Sequence, residues 1–210
     1  MTEKTKIRTT RQINRAIDEL FTSSNRIRIS GLTKQNSIAV GIRGDREIRL
    51  AGDLGNYLGA FNHGCLITLD GNAGKYVGYS MEEGGIIING TCGIGTGTFL
   101  KGGIIVVRSS TGDGLGQYQK DGTILVQGNV EGSVGQYSKG GTIIIVGKTM
   151  GRICSGATGG TVFLSSSFER MEPTFKESKM NGNDLNTLKR YFDHYGIKAE
   201  PRAFRKYAIS

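Results

Sequence analysis

The chain has 210 residues, of which 34 are glycine and two are proline, with 37% hydrophobic residues and a formal net charge of +9. This length allows one well-buried domain with appendages, and the glycines follow no Gly-X-Y period, which excludes collagen. No apolar run approaches the roughly 18 residues of a membrane helix, and the first residues lack the apolar stretch of a signal peptide.

The basic excess lies at the two ends of the chain. Residues 1–50 carry 11 Lys and Arg against 5 Asp and Glu, residues 51–168 carry 7 against 7, and residues 169–210 carry 9 against 6. An acidic protein partner, or solubility alone, accounts for such ends better than nucleic acid does. The three cysteines, Cys65, Cys92 and Cys154, are odd in number and far apart, which predicts a reducing, cytoplasmic location.

The N-terminal segment predicts a capping helix over residues 9–22. Thr9 and Gln12 have the spacing of a capping box. The apolar residues follow the helical i, i+3, i+4, i+7, i+8 pattern: Ile13, Ala16, Ile17, Leu20 and Phe21. Residues 26–42 then predict strand material that leads into the next region.

From residue 45 to residue 166 the sequence repeats with a 19-residue period and without an insertion. Residues 71–89 (GNAGKYVGYSMEEGGIIIN) and 128–146 (GNVEGSVGQYSKGGTIIIV) show the repeat most clearly. Glycine recurs on three grids: Gly52, Gly71, Gly90, Gly128 and Gly147; Gly59, Gly78, Gly97, Gly116 and Gly135; and Gly84, Gly103, Gly122, Gly141 and Gly160. A fixed period of this length is typical of solenoid proteins.

Aliphatic residues recur on the same grid. Two columns lie two residues apart and therefore on one face of a strand: Ile48, Ile67, Ile86, Ile105, Ile124, Ile143 and Val162, and Leu50, Leu69, Ile88, Val107, Val126, Ile145 and Leu164. A third lies in the other half of each repeat: Leu58, Val77, Thr96, Leu115, Val134 and Ile153. One 19-residue unit cannot bury its own apolar face, so the units must stack. The sequence predicts an all-β parallel β-helix of about seven coils, with capping helices at both ends.

The column between the two inward ones should face outward. It begins with Arg49 and Thr68 and then becomes apolar: Ile87, Val106, Leu125, Ile144 and Phe163. An exposed apolar strip of this kind marks a contact surface. The chain's own C-terminal segment, a partner protein or a second copy of the chain are the alternatives for what covers it.

After the last coil the period is lost. Residues from Phe168 to Ser178 predict an irregular strap, and residues 184–195 predict a second helix with Asn183 or Asp184 as its N-cap and Gly196 as its end. The chain therefore divides into an N-terminal cap (1–44), a β-helix (45–168) and a C-terminal strap and helix (169–210) that packs on the solenoid.

The usual signatures of catalysis are missing from the sequence. The glycine-rich stretches at 93–97 and 112–116 return to a strand rather than open a helix, as a phosphate loop must. No G-x-S-x-G occurs, and no column has two acids on neighbouring coils for sugar hydrolysis. His63 is interpreted as a solvated turn residue. Lys101, Lys120 and Lys139 predict a basic stripe, solvated or in contact with an anion or partner. We therefore predict no catalytic, cofactor-binding or metal-binding residue in this chain.

The stretches GDLGNYLGAF, GNAGKYVGYSMEEGGIIING and GNVEGSVGQYSKGGTIIIVGKTMGR resemble the GXGXG domain at the C-terminus of the glutamate synthase large subunit. The resemblance covers nearly the whole chain, and the terminal segments resemble stand-alone relatives in which each synthase domain is a separate polypeptide. A more distant cousin of the repeat is found in a formylmethanofuran dehydrogenase subunit.

This resemblance implies a right-handed parallel β-helix with a structural role. It implies partner subunits, an amidotransferase chain and a synthase chain, and places FMN and iron–sulfur clusters on those partners. No catalytic residue carries over to this chain, and no activity is expected of it alone. A scaffold role in another redox complex is the alternative, whereas nucleic acid and membranes are not predicted as partners.

Overall fold

The computed structural model describes residues 9–209, so residues 1–8 of the predicted N-terminal cap lie outside it. None of the helices in this range is long and apolar enough to cross a membrane. The elements are, in chain order, α1 (Thr10–Phe21), β1 (Arg26–Thr33), β2 (Glu47–Asp53), β3 (His63–Asp70), β4 (Glu83–Ile88), β5 (Ile104–Val107), β6 (Thr123–Val126), β7 (Lys139–Ile145), β8 (Arg152–Ile153), β9 (Gly159–Leu164), β10 (Arg170–Met171), β11 (Phe175–Ser178), α2 (Gly182–Tyr195), a 3₁₀ helix (Pro201–Ala203) and β12 (Arg205–Ile209).

Parallel pairing of one strand per coil builds the main sheet. Strands β1 to β7 and then β9 lie side by side in chain order, each parallel to the next. From β2 onward the register of the aliphatic positions follows the 19-residue period, as in the pairing of Ile86 with Ile105 and of Ile105 with Ile124. The predicted parallel β-helix is confirmed.

The structure has one more coil than the grid marks. Strand β1 pairs with β2 through Arg26 and Glu47, whose separation in the sequence exceeds the repeat period by two. The extra residues place β1 off the repeat period, so the sequence indicated only that this segment leads into the first coil.

The predicted inward columns form the core. Ile48, Ile67, Ile86, Ile105 and Ile124 are fully buried. The third apolar column closes the other side of each coil through parallel bridges, from Leu115 to Val134 and from Val134 to Ile153. Burial of each aliphatic side chain stabilises the fold by about 1.5–3 kcal/mol, so the stack of identical positions carries most of the core's stability.

Both ends of this core are closed. At the first coil, α1 begins with the predicted capping box, in which the Gln12 N–H donates to Thr9 Oγ1 at 3.2 Å. The helix buries Ile13, Ile17 and Phe21 against the core.

The C-terminal end differs from the predicted irregular strap. Strand β12 pairs antiparallel with β9, and β11 pairs antiparallel with β12, while Phe175 and Tyr207 are buried in the core. The last coil leaves backbone groups unpaired at its edge, and these two strands move that edge away from the coils.

The helix α2 covers the outward apolar column. Its N-cap is Asn181 rather than Asn183 or Asp184, with Asp184 completing a capping box, and Gly196 ends it at a φ of +63° as predicted. The covered residues form a cluster with the C-terminal segment: Val106, Leu125, Ile144 and Phe163 pack with Leu188, Phe192, Ile197 and Phe204, and Ile87 lies half-buried beside them. The cover is therefore intramolecular, and from Val106 to Phe163 the column is not free for a partner.

The buried ladder allows a direct test of the register. Replacing Ile105 with Asp should abolish folding, because the carboxylate would lie between Ile86 and Ile124 with no partner for its charge. Replacing Ile94 with Asp, at a site that is 43% exposed, is the matched control and should leave the fold intact. Far-UV circular dichroism and thermal unfolding distinguish the two; a cooperatively unfolding Ile105→Asp protein would contradict the assignment.

The α2 contact is tested by a charge in the covered column. Ile144→Asp should keep the solenoid but release α2, raising hydrogen exchange over residues 182–195 by about tenfold or more, because an unpaired charge under the helix costs several kcal/mol. Thr68→Asp, in the same column but outside the helix cluster, is the control and should leave α2 protected. Unchanged exchange in Ile144→Asp would show that the helix does not depend on this contact.

The capping carboxylate of α2 predicts an acid sensitivity. Partial burial opposes ionisation of Asp184, but hydrogen bonds from the Asn181 N–H and from Lys206 Nζ outweigh it and lower the pKa of Asp184 below its usual 3.8. Because the folded pKa is depressed, the stabilisation is present above about pH 4 and is lost as the pH falls through the folded pKa.

We expect Asp184→Asn to unfold at a lower temperature than the wild type at neutral pH, at a cost of about 1–2 kcal/mol. The difference should shrink as the pH is lowered below about 4. Thermal unfolding across pH measures this, and Asp193→Asn, at an exposed site on the same helix, is the control. A difference that does not depend on pH would exclude the carboxylate as its source.

Candidate functional site: an aromatic ladder beside a column of lysines

A continuous row of aromatic rings, here called the aromatic ladder, runs along one corner of the solenoid. Its members are Tyr57, Phe61, Tyr76, Tyr79, Phe99, Tyr118 and Tyr137. Parallel strands lie about 4.8 Å apart, so rings at one position of successive coils must stack. Phe99 and Tyr118 stack with ring centroids 4.9 Å apart, and Tyr118 and Tyr137 with centroids 5.2 Å apart.

The ladder changes column in its middle. Tyr57 and Tyr76 stack at 5.1 Å in one column. Phe61 and Phe99 lie in the other column, two coils apart, with Ser80 between them. The Tyr79 ring connects the two through edge contacts, at 6.2 Å from Tyr76 and 5.5 Å from Phe99. Gly95 takes the next place in the first column, where a Cβ would lie 2.6 Å from the Tyr76 ring. The backbone at Gly95 therefore packs on the Tyr76 ring.

All members of the aromatic ladder except Tyr79 adopt the left-handed backbone conformation. The φ angle is +58° at Phe99, +57° at Tyr118 and +56° at Tyr137. This conformation costs a non-glycine residue about 1–3 kcal/mol, and stacking returns about 0.5–1.5 kcal/mol per pair. The ring contacts therefore offset part of the strain that the tight corner imposes.

The predicted basic stripe lies two residues after this second column, and we call it the lysine column: Lys101, Lys120 and Lys139. One buried residue, Leu100, Gln119 or Ser138, separates each aromatic residue from its lysine in the sequence, so the two columns run alongside each other. Lys101 Nζ contacts Glu82 Oε1 at 2.8 Å, whereas no ion pair within residues 9–209 includes Lys120 or Lys139. The column therefore carries charge that this part of the chain does not neutralise.

Glu82 links the start of the lysine column to a histidine. The hydrogen bond from Lys101 is the main cause that lowers the pKa of Glu82, with His63 contributing next among the charges. His63 Nδ1 lies 3.0 Å from Glu82 Oε2, and the side chain is 24% exposed. The prediction of a solvated turn residue is therefore wrong, because His63 is the first residue of β3 and the next coil supplies a carboxylate partner.

Polar side chains at another corner connect the coils to each other. Asp53 Oδ1 accepts hydrogen bonds from the backbone N–H and the side chain of Asn72, at 2.9 and 3.0 Å. Asn72 Oδ1 accepts from Thr91 in the same way, and Asn129 Oδ1 accepts from the Lys148 N–H at 2.9 Å. The polar groups of this column, in which Asp53 is the single acid, hydrogen-bond one coil to the next and therefore have a structural role.

The three cysteines lie in positions where their thiols are expected to be unreactive. All are buried and unpaired by disulfides, and desolvation raises the pKa of the thiols to about 11 at Cys65 and about 12 at Cys92 and Cys154. A thiolate, the form that attacks or binds metal, is thereby disfavoured. No group of three or more His, Cys, Asp or Glu able to hold a metal ion occurs within residues 9–209.

The sequence reasoning missed the aromatic ladder, although a signal for it exists. Tyr57 and Tyr76 occupy equivalent positions of successive repeats, as do Phe99, Tyr118 and Tyr137 in turn. A search for aromatic residues on the repeat grid would have found these two short columns. Their connection through Tyr79 depends on the geometry of the corner and has no signal in the period.

Residues 3–198 match the family described as GXGXG motif. The chain belongs to the GXGXG family. In this chain the repeated motif forms the parallel coils, with glycines on a regular grid and aliphatic columns packed inside. No curated protein matched this GXGXG chain.

Among solved structures, one chain of a crystal structure resembles this GXGXG protein over most of its length. That structure is the formyltransferase/hydrolase complex (FhcABCD) from Methylorubrum extorquens in complex with methylofuran. The match has a TM-score of 0.70 and 27% sequence identity, and covers 82% of this chain and 68% of the other. This chain is therefore similar in fold and sequence to a protein found in a multisubunit complex.

The end of the ladder gives a test of its role in stability. Gly156 follows Tyr137 on the grid with a φ of +66°, and a Cβ there would lie 2.6 Å from two atoms of the Tyr137 ring. Gly156→Ala should destabilise the protein by about 1–3 kcal/mol through strain and displacement of that ring. Gly182→Ala, where no atom lies within 4 Å of the new Cβ, is the control. Urea unfolding followed by circular dichroism should separate the two proteins; equal midpoints would argue against a packed ladder end.

Proposed function

We propose that this chain is a non-catalytic structural subunit of a multisubunit complex. The observation that carries the proposal is the likeness, over 82% of the chain, to a chain of the FhcABCD complex. The site chemistry supports it, because the aromatic rings stack on each other, the corner amides bond the coils together and the thiols are buried. Catalytic groups would then belong to other subunits.

For the type of complex, we propose a glutamate synthase-like amidotransferase and oxidoreductase assembly in the cytoplasm. The repeat stretches resemble the GXGXG domain of the glutamate synthase large subunit, as described above. Its amidotransferase and synthase chains would carry the reaction, with FMN and iron–sulfur clusters on those chains. The three cysteines of this chain are buried and far apart in the sequence, which supports the assignment of cluster binding to partners.

A formyl-transferring or hydrolysing complex is the second candidate. It is favoured by one specific observation, the 27% identity to a chain of the formyltransferase/hydrolase complex. The structural role of the β-helix would be the same in both assemblies. The two candidates differ in the partners and in the reaction that those partners perform.

The test is purification of the tagged full-length chain from its native host, followed by size-exclusion chromatography, mass spectrometry and an absorption spectrum. A flavin spectrum with glutamine-dependent glutamate formation supports the first candidate. A colourless complex with formyl-transfer or formyl-hydrolysis activity supports the second. A chain that elutes without a stoichiometric partner would contradict the subunit role, and activity of the purified chain alone would contradict the non-catalytic one.

A further inference from the structure

The aromatic ladder and the lysine column together form an edge that is available to another protein. We propose that this edge is the docking surface for an acidic segment of a partner subunit. The inference rests on the proposed function and deepens it, since it names the surface of this chain and the chemistry of the partner that meets it.

Exposure distinguishes this edge from the other apolar strip of the solenoid. The column from Val106 to Phe163 is covered by α2. By contrast, Phe61 is 45% exposed, Tyr118 is 37% exposed and Tyr137 is 43% exposed. Tyrosine and phenylalanine are enriched where proteins contact each other, and tyrosine is frequent among the residues that dominate binding energy.

The stacking decides which class of ligand fits the edge. Bases of single-stranded nucleic acid bind aromatic side chains through the ring faces. In this ladder the faces of Tyr118 are both occupied, by Phe99 on one side and Tyr137 on the other. Ring edges and phenol hydroxyls are left for contact, and these suit the side chains and backbone of a protein better than a base.

Charge decides the chemistry of that protein. Lys101, Lys120 and Lys139 follow each other on successive coils, about 4.8 Å apart, and only Lys101 has an acidic partner within residues 9–209. A row of ammonium groups at this spacing attracts a segment with several carboxylates. The partner segment is therefore acidic where it passes the lysines, and contacts the ring edges beside them.

A second copy of this chain fits the edge poorly. On the three coils that precede Lys101, the same row of the edge is continued by Arg43, His63 and Glu82. In a two-fold arrangement each residue meets the one at the mirrored place in the row. With the two-fold axis between Glu82 and Lys101, Lys120 of one copy would meet His63 of the other, and Lys139 would meet Arg43. Only Lys101 would then meet an acidic residue.

The experiment uses the tagged full-length chain in its native host, with p-benzoylphenylalanine replacing Tyr118 for photo-cross-linking. Met150 is 57% exposed, belongs to neither the ladder nor the lysine column, and gives the matched control site. Mass spectrometry of the purified complex should find cross-links from position 118 to an Asp- and Glu-rich peptide of a stoichiometric subunit. Position 150 should give none to that peptide.

A charge-reversal pair provides an independent measurement on the same complex. Lys120→Glu with Lys139→Glu should weaken assembly by roughly 30-fold or more. The control, Lys148→Glu with Lys189→Glu, changes the net charge equally at exposed sites away from the edge, and should assemble as the wild type does. Circular dichroism confirms that both proteins are folded.

The outcomes separate the two levels of the proposal. An intact complex whose cross-links come from position 150 but not 118, or whose assembly survives the Lys120 and Lys139 reversal, overturns the docking surface and leaves the subunit role standing. Cross-links from position 118 to nucleic acid, or to a second copy of this chain, also overturn it. A wild-type chain that purifies without any stoichiometric subunit overturns the proposed function and the docking surface with it.

Discussion

The structure depends on the parallel pairing of each coil with the next, which from β2 onward keeps a 19-residue spacing along the aliphatic columns. A single coil has one short strand and cannot bury its aliphatic side chains, so its stability comes from the coils on either side. The constant spacing places like residues above each other, which aligns Ile86, Ile105 and Ile124 in the core and Asp53 with Asn72 at a corner. Two extra residues in the first coil are accommodated without loss of this alignment, since Ile27 still pairs with Ile48.

The same stacking accounts for the features that surround the core. The first and last coils lack a neighbour, and they are closed by α1 at one end and by Phe175, Tyr207 and the antiparallel strands at the other. At the aromatic corner the tight turn holds Phe99, Tyr118 and Tyr137 at positive φ, and stacking at the coil spacing offsets part of that strain. Rings that stack on each other in this way present their edges to solvent, and lysines emerge beside them.

The packed coils present two different surfaces: one that is covered by α2 and one, the ladder edge, that is exposed. One face is occupied by α2, whose contact with Val106 and Ile144 is apolar and internal. The ladder edge has exposed rings and two lysines, Lys120 and Lys139, without acidic partners in the described range. A structural subunit needs one such surface on a scaffold that does not deform, and the packed coils provide the scaffold. The likeness to a chain of the FhcABCD complex agrees with that role.

The sequence by itself determined the fold class, the coil period, the inward columns and the α1 capping box, because each of these follows from a regular spacing of residue types. It did not determine the first coil, which departs from the period by two residues, or the antiparallel closure by β11 and β12, whose partners are distant in sequence. It also left the cover of the column from Ile87 to Phe163 open. Only the tertiary structure decided these points, because they depend on which distant segment reaches an unpaired edge or an uncovered apolar surface, and local spacing carries no information about that.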